Sequence, residues 1–144
     1  MNDKLFVYGT LMIPEIREAM LQRKVNYKDA ILEGYTANTI IYGHYTTEYP
    51  FLKPGKGEKV KGGILYPVNS RDISLIKYYE GSEYICTNIT VLSDNKEIET
   101  LAFLHNEKCN IEYGPEWDYD SFVCEYLHSY ITEIIPQVVR NYHM

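Results

Sequence analysis

Leu5-Phe6-Val7-Tyr8-Gly9-Thr10-Leu11-Met12 sets the pattern of the whole chain. The run from Lys4 to Tyr8 is apolar and aromatic and stops at a glycine, which reads as a buried strand entering a tight turn. A glycine at that point lets the backbone come close to a ligand. Ile13-Pro14-Glu15-Ile16-Arg17-Glu18-Ala19-Met20-Leu21 follows. Proline suits a first helical turn, Glu15 stands at the positive end of the dipole, and Ile13, Ile16, Met20 and Leu21 recur at helical spacing. The N–H groups of Gly9, Thr10 and Leu11 therefore lie between a strand end and a helix start. Successive N–H groups in that setting form a nest for an anion or a developing oxyanion. Taken locally, a plain strand-to-helix turn explains the same residues.

Working outward, Ala30–Tyr42 is rich in β-branched residues and tyrosine, and Gly34 interrupts it. One bent strand or two consecutive strands fit. Tyr49-Pro50-Phe51-Leu52 is a short extended piece, because a residue before proline favours β geometry. Lys53, Lys56, Lys59 and Lys61 stand among Pro54, Gly55 and Gly57, which reads as a solvated loop. Val60–Val68 is a further strand, with Gly62-Gly63 as a bulge or a place of close backbone approach. Ser70–Tyr79 has a helical pattern, Ser70 as its cap and Gly81 as its stop. Tyr84–Val91 and Glu99–His105 pair as a hairpin around Asp94-Asn95. Asp118 or Asp120 caps a last helix carrying Phe122, Tyr126, Leu127, Tyr130, Ile131 and Ile134, which Pro136 should kink or end. Val138-Val139 continues its core face. The order of elements is that of one α+β domain over residues 1–144, with a curved sheet or barrel flanked by helices.

Composition narrows the functions. The chain has 144 residues, a net charge of −6 and no basic stripe, which argues against nucleic-acid binding. The three cysteines, Cys86, Cys109 and Cys124, are too few and too widely spaced for a disulfide framework or a zinc site. Reduced thiols in a cytoplasm are the simplest account. Cys124 reads as a packing residue on the last helix. The start, Met1-Asn2-Asp3-Lys4-Leu5, shows no secretory signal, and no segment reaches the length of a membrane helix. His44, His105, His128 and His143 suggest no metal site. Fifteen tyrosines against four phenylalanines is unusual. A buried tyrosine wants a partner for its hydroxyl and can border a polar cavity, but compositional drift is the plainer account.

The second chemical focus is Tyr78-Tyr79-Glu80-Gly81-Ser82-Glu83-Tyr84. Glu80 falls in the last turn of its helix, where the dipole disfavours a carboxylate. Neighbouring tyrosine rings would reduce its solvation, and both effects raise its pKa toward that of a general base working near neutrality. A solvent-facing glutamate beside a helix stop is the commoner reading of such a pattern. Glu83, the natural competitor, begins the next strand and has no special electrostatic setting.

Together these segments resemble the gamma-glutamylcyclotransferase-like family, most closely its small branch acting on gamma-glutamyl amines. The likeness runs from Leu5 to about Trp117. It rests on Phe6-Val7-Tyr8-Gly9-Thr10-Leu11, on Tyr49-Pro50-Phe51-Leu52, and on Val60-Lys61-Gly62 with Ile64-Leu65-Tyr66-Pro67-Val68, one residue longer than the usual spacing. Glu80-Gly81 with Tyr84, and Gly114-Pro115-Glu116-Trp117, complete the set. Two positions depart from the family pattern. Lys77 stands where an aspartate is usual, and Cys86 where an arginine is usual. If the family's two residues pair, their joint loss is consistent, provided Lys77 and Cys86 lie near each other.

The resemblance implies a small mixed β-barrel with surrounding helices. It also implies release of 5-oxoproline by attack of a glutamyl α-amine on its own γ-carbonyl, with no cofactor. Glu80 would be the proton carrier. Gly9, Thr10 and Leu11 would supply backbone donors, and Tyr8, Tyr49, Tyr84 and Trp117 would be pocket walls, although core packing explains those four equally well. The partner expected is a small gamma-glutamyl compound, and oligomeric state stays open. Two alternatives remain on the same fold: an amino-acid or carrier-linked gamma-glutamyl substrate, or a non-catalytic binding module.

Overall fold

Strand pairing in the computed structural model is dominated by one long ribbon, and the rest of the sheet curls around it. The structure describes residues 2–106 and 111–143. Met1 and Cys109 lie outside the described residues. The strands are β1 (Leu5–Val7), β2 (Asn26–Tyr42), β3 (Tyr45–Thr46), β4 (Phe51–Tyr66), β5 (Tyr84–Ser93), β6 (Lys96–His105) and β7 (Glu112–Glu116). The helices are α1 (Pro14–Leu21), α2 (Ser70–Glu80), α3 (Tyr119–Ser129) and α4 (Ile135–Tyr142). A 3-10 turn covers Thr10–Met12, and a π-helical segment covers Tyr130–Ile134 between α3 and α4.

The sheet runs β3-β2-β4-β1-β6-β5, and β7 pairs with β2. Among the described residues only β1 and β6 run parallel, so the sheet is mixed. The edge strand β5 returns to β2 through the single pair Ile31↔Leu92, which makes a tightly curled sheet. Alternation along β1 explains its two-sided burial. Phe6 points into the curl with Tyr8, Leu32, Ile64 and Val91. Leu5 and Val7 face the helices, with Ile16, Met20, Ile76, Ile135 and Val139. The helices pack against that outer side, so the polypeptide crosses from the sheet to the helical layer at Tyr8–Leu11.

Several sequence expectations change in detail. Lys53, Lys56, Lys59 and Lys61 are exposed, but they belong to β4. Pairing jumps from Glu33↔Lys59 to Tyr35↔Pro54, so residues 55–58 bulge out of the ribbon. Proline and the glycines therefore mark a bulge within a strand. Gly62-Gly63 is regular in register, and what it provides is room. A Cβ on Gly62 would collide with Phe6 and the Val7 carbonyl, and one on Gly63 with the Tyr27 ring. Ala30–Tyr42 belongs to one strand, β2, that starts at Asn26 and shifts register at Gly34.

The cap of α2 is Asn69, one residue ahead of Ser70. Its side chain accepts the Asp72 N–H, and the Asp72 carboxylate accepts the Asn69 N–H. Asp118 caps α3. Pro136 does not end the last helix. The π-helical segment widens the turn just ahead of it, and Pro136 then sits in the first turn of α4, where its missing N–H costs little. Cys124 is exposed, because α3 meets the core chiefly through Phe122 on another face. β3 and β7 are two short strands with no recognisable alternation; Pro115 lies within β7. No helix among the described residues is long and apolar enough to cross a membrane.

Candidate active site

Three sequence segments converge on Pro50. Gly9 lies so close to it that an added Cβ would stand 2.9 Å from the proline Cδ. Tyr84 donates its hydroxyl to the Pro50 carbonyl at 2.8 Å, and its ring stacks on Phe51 with centroids 4.0 Å apart. The glycine thus serves first to let the Tyr49-Pro50 element brace the loop. Tyr8 is fixed by donation to the Phe103 carbonyl at 2.5 Å. The Thr10 hydroxyl is hydrogen-bonded to that of Tyr79 at 2.8 Å. The loop is held from β4, α2 and β6 before any ligand arrives.

Glu80 is the last residue of α2, and Gly81 at φ +93° ends the helix there. The two together turn the carboxyl inward. It borders a cavity of about 380 Å³, open mouth included, that is also lined by Tyr8, Gly9, Thr10, Leu11, Tyr49 and Tyr84. Glu80 is half-buried: protein crowds around its carboxyl, whose oxygens stay open to the cavity. Burial pushes it from the ordinary 4.5 up to about 8. Among the described residues no hydrogen-bond donor or cation meets the carboxyl to oppose that push. The helix dipole and neighbouring rings are the causes expected from the sequence; in the structure desolvation is the cause.

Seven of the eight residues singled out from sequence line this one cavity. Trp117 does not. Its indole N–H donates to the Glu48 carbonyl at 2.8 Å, and its ring packs against Tyr119 and Phe122. Glu83 accepts the Tyr42 hydroxyl and stands outside the cavity. The two departures from the family pattern are not on remote surfaces: burial raises the Cys86 thiol, and Lys77 is near enough for its charge to oppose that.

Sequence reasoning missed Tyr79 and Tyr130. With Thr10, Tyr49 and Glu80 they border a second hollow beside the first. Five of the fifteen tyrosines therefore surround Glu80, which compositional drift does not explain. The position of Tyr79 next to Glu80 was the available signal for the first. Nothing in the sequence distinguished Tyr130 from the other tyrosines.

A mixed curled sheet with a helix-end glutamate and a Tyr-Gly-Thr-Leu loop on one cavity defines a class, and comparison with known proteins gives it a family. The family model described as gamma-glutamyl cyclotransferase, AIG2-like, matches residues 5–121, and the chain belongs to that family. AIG2-like protein B of Arabidopsis thaliana is 28% identical over 140 residues, covering 92% of this chain and 78% of the relative. AIG2-like protein D of the same plant is 25% identical over 121 residues, covering 82% and 77%. A solved gamma-glutamyl cyclotransferase superposes with a TM-score of 0.69 over 96% of this chain and 98% of its own, at 15% identity, a likeness of fold. Family and fold together support gamma-glutamyl cyclotransferase-like activity.

Proposed function

We propose that the protein is a cofactor-independent gamma-glutamyl cyclotransferase acting on a gamma-glutamyl amine, with Glu80 as general base and then general acid. The observation that carries this reading is the unpartnered Glu80 carboxyl opening on the same cavity as Gly9, Thr10 and Leu11. A carboxyl left without a donor costs stability, and a substrate ammonium is the partner that removes the cost.

The chemistry follows from that placement. Ionised Glu80 takes a proton from the substrate α-ammonium. The freed amine attacks the γ-carbonyl carbon, and the carbonyl oxygen becomes an oxyanion. The N–H groups of Gly9, Thr10 and Leu11 serve the oxyanion and the α-carboxylate. When the tetrahedral centre collapses, the bond to the leaving nitrogen breaks; Glu80 returns its proton to that nitrogen and relays the ring nitrogen's second proton to it as well, so that the amine departs as an ammonium. The products are 5-oxoproline and a free amine. Holding the glutamyl chain in a ring-closing shape between Tyr8, Tyr49 and Tyr84 supplies part of the rate; well-oriented intramolecular reactions gain up to about 7–11 kcal/mol. Trp117 acts at a distance, by fixing the Glu48 backbone beside Tyr49.

The test is 5-oxoproline release from a panel of gamma-glutamyl compounds, run with Glu80→Gln alongside. The wild type should release it and the variant should be severely slowed. Undiminished activity in the variant would remove Glu80 from the mechanism. No release from any compound by the wild type would remove the reaction and leave a binding module.

A further inference from the structure

Thr10 stands between the two cavities. It borders the first with Gly9 and Glu80, and the second with Tyr79 and Glu80. Its hydroxyl lies 2.8 Å from that of Tyr79. Among the described residues this is the one hydrogen bond between loop 8–11 and α2, and neither hydroxyl makes a second. It joins the residue after Gly9 to the residue before Glu80, so it spans from the donor loop to the base.

Two hydroxyls carry two protons, and the bond between them uses one. Which oxygen keeps the spare O–H decides what the pair offers. A phenol is a far stronger acid than an aliphatic alcohol, and its oxygen shares a lone pair with the ring. The phenol is therefore the better donor and the alcohol the better acceptor. Burial raises Tyr79 well above its ordinary 10, and the charge of Glu80 adds to that, so the phenol keeps its proton throughout the working range. Tyr79 donating to Thr10 leaves the Thr10 proton without a protein acceptor, on a residue that borders the Glu80 cavity. A hydroxyl that accepts one hydrogen bond donates the next more strongly, because the two polarise each other. The strongest acceptor that the ring closure creates in that cavity is the oxyanion.

Building on the cyclotransferase reading above, we infer that Tyr79 is a positioning residue for that reaction: its hydroxyl donates to Thr10 and turns the Thr10 O–H toward the oxyanion that forms on the γ-carbonyl. The loop then offers a side-chain donor beside its backbone N–H groups. The carbonyl oxygen of the bound substrate is neutral and accepts more weakly than the oxyanion. The chain from Tyr79 through Thr10 thus strengthens as the reaction proceeds, and its contribution falls on kcat more than on binding.

Tyr79→Phe and Thr10→Val, singly and together, test this on whichever gamma-glutamyl compound the wild type turns over best. Phenylalanine keeps the ring and its packing. Tyr79→Phe should lower kcat about tenfold, the size of a coupling within one hydrogen-bond network, with KM and 5-oxoproline affinity within about twofold of the wild type. Thr10→Val should cost about 10²-fold in kcat, the loss of one oxyanion donor, and adding Tyr79→Phe to it should cost nothing more. Thr10→Ser keeps the hydroxyl and should keep both the rate and its sensitivity to Tyr79→Phe. The acid limb of the pH profile should hold its midpoint in Tyr79→Phe. An unchanged kcat in Tyr79→Phe overturns the assignment outright. A loss of 5-oxoproline affinity equal to the loss of kcat reduces the bond to a tie between loop and helix, and overturns it too. The same penalty for Tyr79→Phe in Thr10→Val as in the wild type, or a shifted acid limb, shows an effect that bypasses Thr10 and likewise overturns it. All these results leave the cyclotransferase reading intact. Absence of 5-oxoproline from every gamma-glutamyl compound overturns both.

Discussion

The two ends of α2 carry carboxylates with opposite fates. At the start, Asp72 accepts both Arg23 guanidinium nitrogens at 2.7 Å and the Asn69 N–H at 3.0 Å. Burial pushes Asp72 up, but those donors outweigh it and hold its pKa below the ordinary 3.8. At the other end Glu80 lines a cavity without a donor, and desolvation by the protein around it pushes it up to about 8. A carboxylate used for structure is saturated with partners, whereas one that exchanges a proton with a ligand is left for the ligand to complete. Both lie on one eleven-residue helix, so their difference comes from what each end meets.

The largest expected effect breaks the comparison at the Glu80 end. Glu80→Gln should lower kcat for 5-oxoproline release by about 10²–10⁴-fold, the usual share of a general acid–base group, measured under saturating substrate. Next comes stability against pH, read by thermal or denaturant unfolding. The folded pKa of Glu80 lies above its unfolded value, so its contribution is fully present below about 4.5 and is lost as pH rises through about 8. That loss is on the order of a few kcal/mol, and Glu80→Gln should lack it. Asp72 runs the other way: its contribution is present above 3.8 and is lost as pH falls through its depressed folded pKa.

Gly9→Ala forces a Cβ against Pro50 and shifts the donor loop relative to Glu80. Displacement of about an ångström costs up to about 10²-fold in kcat/KM, with little effect on the pKa of Glu80. Asp72→Asn should destabilise by about 1–3 kcal/mol in denaturant unfolding, through loss of charge-assisted bonds to Arg23, and leave the pH dependence of turnover unchanged. The smallest effect belongs to Tyr84→Phe, which removes the bond to the Pro50 carbonyl and should cost about 1 kcal/mol of stability.

The amino-terminal half of the site was legible because it is written in rigid, local chemistry. An apolar strand stopping at Gly9, a Tyr-Pro pair, and Glu-Gly at a helix end each constrain the backbone directly. The reason for Gly9 was less accessible: its close neighbour, Pro50, is forty-one residues away in sequence. The bulge of β4 was hidden because proline, glycine and lysine mark loops and interrupted strands alike. Trp117 looked like a pocket wall in the Gly114–Trp117 element, yet it anchors Glu48. The carboxy-terminal wall of the second hollow was least legible. Tyr130, Ile134 and Val138 read as ordinary core spacing, and only the fold brings them beside Glu80.

The pH profile of 5-oxoproline release by wild type and Glu80→Gln tests the central claim most directly. The wild-type kcat/KM should rise with pH through an acid limb near 8, as the free carboxyl ionises. The variant should be slower by at least about 10²-fold and should lose that limb. A variant that keeps both the rate and the limb would show that another group carries the proton.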